Sequence, residues 1–229
     1  MTRIFATIVA SLIALLVPGR LGSQEMIDRV LAVLDGQVIT YSDVQAALQF
    51  GLVDPGNAGD PVRAALDALI KRQMMLDEVN RYAAPEPDPL LLEARLATVR
   101  ARFPSAEAFA AALARTGLSG GTGQPAAAGA RADEAALREI VRDNLRIEQY
   151  LQERFSAVVQ PTGEEIERYY SDHPSEFRRK DAVVPLETAR QAIRDGLVRA
   201  RRDEAIADWL SRLRRRADVR DFYLPPVKK

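Results

Sequence analysis

Apolar residues recur with a period near two at both ends of this 229-residue chain and with helical spacing through its middle. The stretch Ile27 to Gln45, IDRVLAVLDGQVITYSDVQ, places short apolar runs on either side of Asp35-Gly36. Asp-Gly between β-formers predicts a hairpin, because a tight primed turn needs positive φ at both central residues and Gly supplies one without strain. Ser42 with Gln45 reads as an N-cap and its reciprocal partner, so the second strand should pass straight into a helix. A lone hairpin is marginal in water and needs a third strand or a packed helix. The other strand pattern lies far away, at Ala217 to Leu224, where Val219, Phe222 and Leu224 alternate among charges before Pro225-Pro226.

Between these ends the spacing is helical. Gly51 to Asp60 reads as a loop closed by Asp60-Pro61, an N-cap followed by the first helical residue. From Val62 to Tyr82, Leu66, Ile70, Met74, Met75 and Val79 lie on an apolar stripe wide enough to require cover on more than one side. Pro85, Pro87 and Pro89 break that helix. Leu90 to Phe103 and Ser105 to Thr116 follow as helices split at Phe103-Pro104, with Ser105 as N-cap and Gly117 as C-cap. Ser119 to Ala132, rich in Gly and Ala, reads as a flexible insertion. Its Gly120-Gly121-Thr122-Gly123 lacks the Lys and the strand that a phosphate loop requires. Asp133 should cap a helix reaching Phe155, with Asn144 on the apolar face and in need of a partner. Thr162 and Glu165 form a capping box for a short helix ended by His173-Pro174. The last helix runs from Pro185 to about Arg216, with Gly196 inside it.

Composition narrows the chemistry. Hydrophobic residues make up 47% and charged residues 28%, enough for a real core and for one or two domains. The 32 basic and 32 acidic side chains balance, which removes net charge as a reason to expect nucleic acid as a partner. Cysteine is absent and His occurs once, so thiol catalysis, disulfides and Cys/His metal sites are excluded, while carboxylate-only metal sites stay open; no cofactor is expected. Glu164, Glu165 and Glu167 sit at a helix start, where acids suit the dipole; Arg212, Arg214, Arg215 and Arg216 crowd a helix end and read as a solvated face. At the N-terminus, Thr2 and Arg3 precede an uncharged apolar run, Ile4 to Val17, then Pro18-Gly19 and Leu21-Gly22-Ser23. That is a secretory signal pattern over residues 1–23, with a run too short to span a bilayer comfortably. A short membrane anchor is the other reading, the membrane then being met only through this segment if it stays uncleaved.

Three segments together resemble the SurA-like periplasmic chaperone family, with its related parvulin-containing foldases. They are IDRVLAVLDGQVITYSDV at Ile27 to Val44, PTGEEIERYYSDHPSEF at Pro161 to Phe177, and PLETARQAIRDGLVRARRDEAIADWLSRLRRRADVR at Pro185 to Arg220. The resemblance implies a mostly α fold, a helical chaperone core with a small antiparallel sheet formed by the N-terminal hairpin and the C-terminal strand. Residues 24–160 would form its N-terminal helical part and 161–229 its C-terminal helices and strand. The chain departs from the isomerase-bearing relatives, in which a parvulin domain lies between the second and third segments. Here Arg178 to Val184 alone joins them, against about 50 residues for the smallest ordinary domain. His173 reads as a local structural residue in a helix-ending turn.

The resemblance implies a periplasmic, ATP-independent holdase that binds unfolded or extended polypeptides, outer-membrane proteins among them, through an apolar groove. No catalytic residue and no metal ligand is expected. Met74, Met75, Phe103 and Phe109 are the groove candidates, each with core burial as its alternative. Peptidyl-prolyl isomerisation is a second reading, carried by the family relationship, and an adaptor subunit of an envelope complex is a third.

Overall fold

In the computed structural model of the chain, which describes residues 28–116, 130–157, 160–179 and 182–225, the hairpin forms where Asp-Gly places it. Asp35 and Gly36 take φ of 47° and 86°, as a two-residue type I′ turn demands. Strand β1 (Val30–Leu34) therefore folds straight back as β2 (Gln37–Thr40). The third strand is β5 (Val219–Asp221), laid antiparallel on the other side of β1, so the sheet order is β2-β1-β5. Asp35 and Asp218 lock this closure with two bonds: the Asp35 N–H donates to the Asp218 carbonyl at 3.0 Å, and the Asp218 N–H donates to Asp35 Oδ1 at 2.9 Å. The fold is thus mostly helical, with a small antiparallel sheet built from the N-terminal hairpin and a C-terminal strand.

Helix α1 (Tyr41–Gln49) begins earlier than expected. Its N-cap is Thr40, with Asp43 as the reciprocal partner, in place of Ser42 with Gln45. The strand ends at Thr40, so the first side chain able to cap is already there, and the Ser42 hydroxyl and N–H turn instead to the Asp28 carboxylate. Helix α2 (Pro61–Arg81) starts as its sequence predicts, with Asp60 accepting the Arg63 N–H at 3.0 Å. Helix α3 (Pro89–Arg100) takes Asp88 as cap and Pro89 as its first residue, so that proline opens a helix. Ser105 Oγ accepts the Ala108 N–H at the start of α4 (Ala106–Thr116).

Helix α5 (Ala130–Arg154) starts ahead of Asp133, which lies buried in its first turn and does not cap it. Asn144 finds the partner its position demanded, in Arg72 of α2. Helix α6 (Gly163–Asp172) has the Thr162–Glu165 box, and His173 closes it, its ring stacked on Tyr169 at 4.1 Å. At the junction, β3 (Arg178–Arg179) and β4 (Ala182–Val183) form a minimal hairpin where the sequence had suggested a bare connector. Helix α7 (Leu186–Arg216) then runs unbroken through Gly196 for 31 residues, a length of about 46 Å at 1.5 Å per residue. Residues 1–23, Gly117 and the glycine run at 120–123 lie outside the described residues, as does most of the Gly/Ala insertion.

Burial divides among three clusters. The first joins the sheet to α2, α5 and α7 through Leu31, Leu34, Leu66, Val79, Tyr150 and Trp209. The second joins α1, α3, α4 and α5 around Phe50, Leu96, Leu137 and Leu145. The third is small, pairing Ile166 of α6 with Ala189 and Ile193 near the start of α7. Among the described residues no helix is long and apolar enough to cross a membrane.

Candidate functional site

An apolar opening in the described surface lies where the hairpin meets α1, α2 and α5. It is a cleft of about 650 Å³, counted to its open mouth, walled by Val38, Ile39, Ala47, Leu52, Leu69 and Ile140. Most of that space is open to solvent, so the cleft suits an apolar side chain of an extended segment and does not enclose a ligand. Polar groups also line it, with Gln37 and Asp43 at the sheet edge and Arg72 and Gln73 on α2.

One wall is the free edge of the sheet. On β1 the Leu31 carbonyl and the Asp35 N–H bond to the β5 side. Backbone direction alternates along a strand, so Val33 also faces β5, and Val38, opposite Val33 on β2, directs its N–H and C=O away from β1. No further strand covers that edge among the described residues. Thr40 would be the next outward donor, but its N–H goes to Asp43 Oδ2 at 2.9 Å. The edge therefore offers one residue's pair of backbone groups, and Asp43 blunts the rest, a common protection for an edge strand. Val38 is 39% exposed.

Arg72 is the fixed cation of the cleft. Its side chain is 13% exposed, with Nε donating to Asn144 Oδ1 at 2.5 Å, Nη2 donating to the Ile140 carbonyl at 3.3 Å, and Asp143 at 3.5 Å. Burial pulls the Arg72 pKa below its ordinary value against the opposing pull of Asp143. Burial likewise pushes the Asp143 carboxyl up, with Arg72, Arg142 and Arg146 opposing. Gln73 donates to Asp77 at 2.9 Å, and burial raises the Asp77 carboxyl.

The four groove candidates do not meet. Met74 is buried and Met75 half-buried in the first cluster, while Phe109 is buried and Phe103 half-buried in the second. Phe103 and Phe109 do border a hollow of about 930 Å³, counted to its open mouth, with Arg100 and Glu134, and their rings pack on each other and on Phe50 at 5.4 to 6.0 Å. Large exposed apolar side chains among the described residues include Leu90, Tyr82, Phe222 and Leu224. Sequence reasoning missed Val38, Leu69 and Arg72. The unanswered amide of Asn144 was the one signal that a donor on another helix had to lie opposite. No protein-family model matches the chain, and no curated protein matches it.

Proposed function

We propose that the chain is an exported, ATP-independent holdase of the SurA-like kind, which holds unfolded or extended polypeptide, outer-membrane proteins in particular, against aggregation in the periplasm. The observation that carries this reading is the juxtaposition of an unpaired strand edge at Val38 with an apolar cleft. An extended polypeptide that lays its backbone against Val38 gains main-chain bonds that are indifferent to sequence, while its alternate side chains enter the cleft. Burial in the cleft contributes about 25 cal/mol per Å² of apolar surface removed from water. With a single residue of edge available, affinity for each segment is modest, which suits release without a nucleotide. The client class and the compartment rest on the three-segment resemblance and on the signal pattern at residues 1–23.

The deciding experiment is light scattering from an outer-membrane protein diluted out of denaturant. An equimolar amount of this chain should suppress the signal. Unchanged scattering would remove the proposal.

A further inference from the structure

A second opening, away from the cleft, lies where three helices end together. Helix α2 finishes at Arg81, α5 at Arg154 and α7 at Arg216, around a groove of about 790 Å³. Each helix C-terminus carries about half a negative charge, and one terminal guanidinium answers each. Arg81 and Arg216 are further committed to the buried Glu78 carboxylate, both reaching Oε1, at 2.9 and 3.0 Å. Arg154 lies over the rings of Tyr150 and Trp209, at 5.7 and 5.6 Å. Arg212 and Arg215 remain: both line the groove, both are exposed, and neither forms an ion pair among the described residues, Arg215 donating to the Ser211 hydroxyl at 3.0 Å. They exceed what the helix ends and Glu78 need. Beside them Tyr82, 60% exposed, stacks on Tyr150 at 6.0 Å and offers a flat apolar floor.

We infer that this groove binds an acidic stretch of an extended polypeptide, with Arg212 and Arg215 holding carboxylates and Tyr82 bearing the chain between them. Guanidinium groups pair with carboxylates through two parallel bonds, and a neighbouring aromatic face supports the apolar part of the same segment. The groove admits a few residues. A duplex or an anionic bilayer needs a broad basic face, and the exposed flank of α7 interrupts one with Asp203, Glu204 and Asp208. Charge complementarity therefore selects a short acidic peptide.

Trp209, the only tryptophan of the chain, lies at this groove beneath Arg154 and is 3% exposed, so its emission is followed together with the heat of binding in a calorimetric titration. The full chain is titrated with a Glu-rich peptide, with the same peptide carrying Gln in place of Glu, with a single-stranded oligonucleotide, and with vesicles containing anionic phospholipid. The Glu-rich peptide should bind saturably, with affinity falling as ionic strength rises. The Arg212→Gln, Arg215→Gln pair should weaken it by about tenfold with Tm unchanged. The Arg212→Glu, Arg215→Glu pair should exchange the preference toward a Lys-rich peptide. Equal binding of the Glu and Gln peptides, tighter binding of oligonucleotide or vesicle, or an unaltered response in the double variants would overturn the inference. Because a Val38→Pro variant leaves the groove intact, it should bind the acidic peptide as the parent does, whatever becomes of the cleft.

Discussion

Tyr223 donates its phenolic hydroxyl to Asp60 Oδ2 at 2.7 Å, fastening the residue just past the last strand to the cap of α2 across 163 positions of sequence. Asp60 holds the Arg63 N–H with its other oxygen, while the Arg63 guanidinium reaches Asp221 at 2.5 Å and lies 5.8 Å from the Tyr223 ring. The start of α2 thus clasps β5. Tyr223→Phe should lower unfolding free energy by about 1 kcal/mol, the net worth of a hydrogen bond. Asp60→Ala should cost more than Tyr223→Phe, because it removes the helix cap as well. Urea titration of the two variants and their combination checks the difference.

The same clasp gives stability an acid limb. The Arg63 N–H first, and the Tyr223 hydroxyl after it, hold the Asp60 carboxyl below its ordinary value. A carboxyl whose folded pKa is depressed contributes stability that is fully present above the unfolded value of about 4 and is lost as pH falls through the folded one. Asp77 and Asp143 act oppositely, since burial raises both and protonation relieves them. The urea midpoint of the parent should therefore fall below about pH 4, and Asp60→Asn should flatten that fall. An Asp60→Asn profile parallel to the parent's would remove this assignment.

Val38→Pro should reduce the suppression of aggregation with little change in Tm. Proline deletes the outward N–H yet is tolerated on an edge strand. Val38→Thr retains the N–H and should retain the suppression. Equal activity of both variants would show that the edge takes no part.

Arg72→Ala should destabilise by about 2 to 3 kcal/mol, because it strands the Asn144 carbonyl and the half-buried Asp143. Arg72→Lys should recover little, since an ammonium cannot reproduce the planar fork that spans Asn144 and Ile140. A double-mutant cycle with Asn144→Leu should show strong coupling.

Phe109→Ala should cost about 3 kcal/mol or more, as truncation of a core ring does, without a selective loss of client binding. Selective loss in a variant of parental stability would restore Phe109 as a contact residue.

Where an element depends on its own neighbours, these residues announced it. Asp35-Gly36 demanded a primed turn, Asp60-Pro61 demanded a helix start, and Thr162 with Glu165 demanded a box; each stands where it was read. The cap of α1 moved from Ser42 to Thr40 because that choice depends on where the strand stops, which cross-strand pairing decides. The cleft was beyond reach for a related reason. Val38 becomes a free edge only once β5 has taken the far side of β1, and Arg72 faces Asn144 only when α2 and α5 have docked. The arginines at the end of α7 are exposed, as a solvated face requires, and what their own spacing could not reveal is that α2 and α5 end beside them.

The minimal hairpin between α6 and α7 sits at the far end of a 31-residue shaft from the sheet that closes the chain. A foreign module spliced between β3 and β4 would ride there as a passenger, leaving the strands that seal the body, and the order in which they meet, as they were.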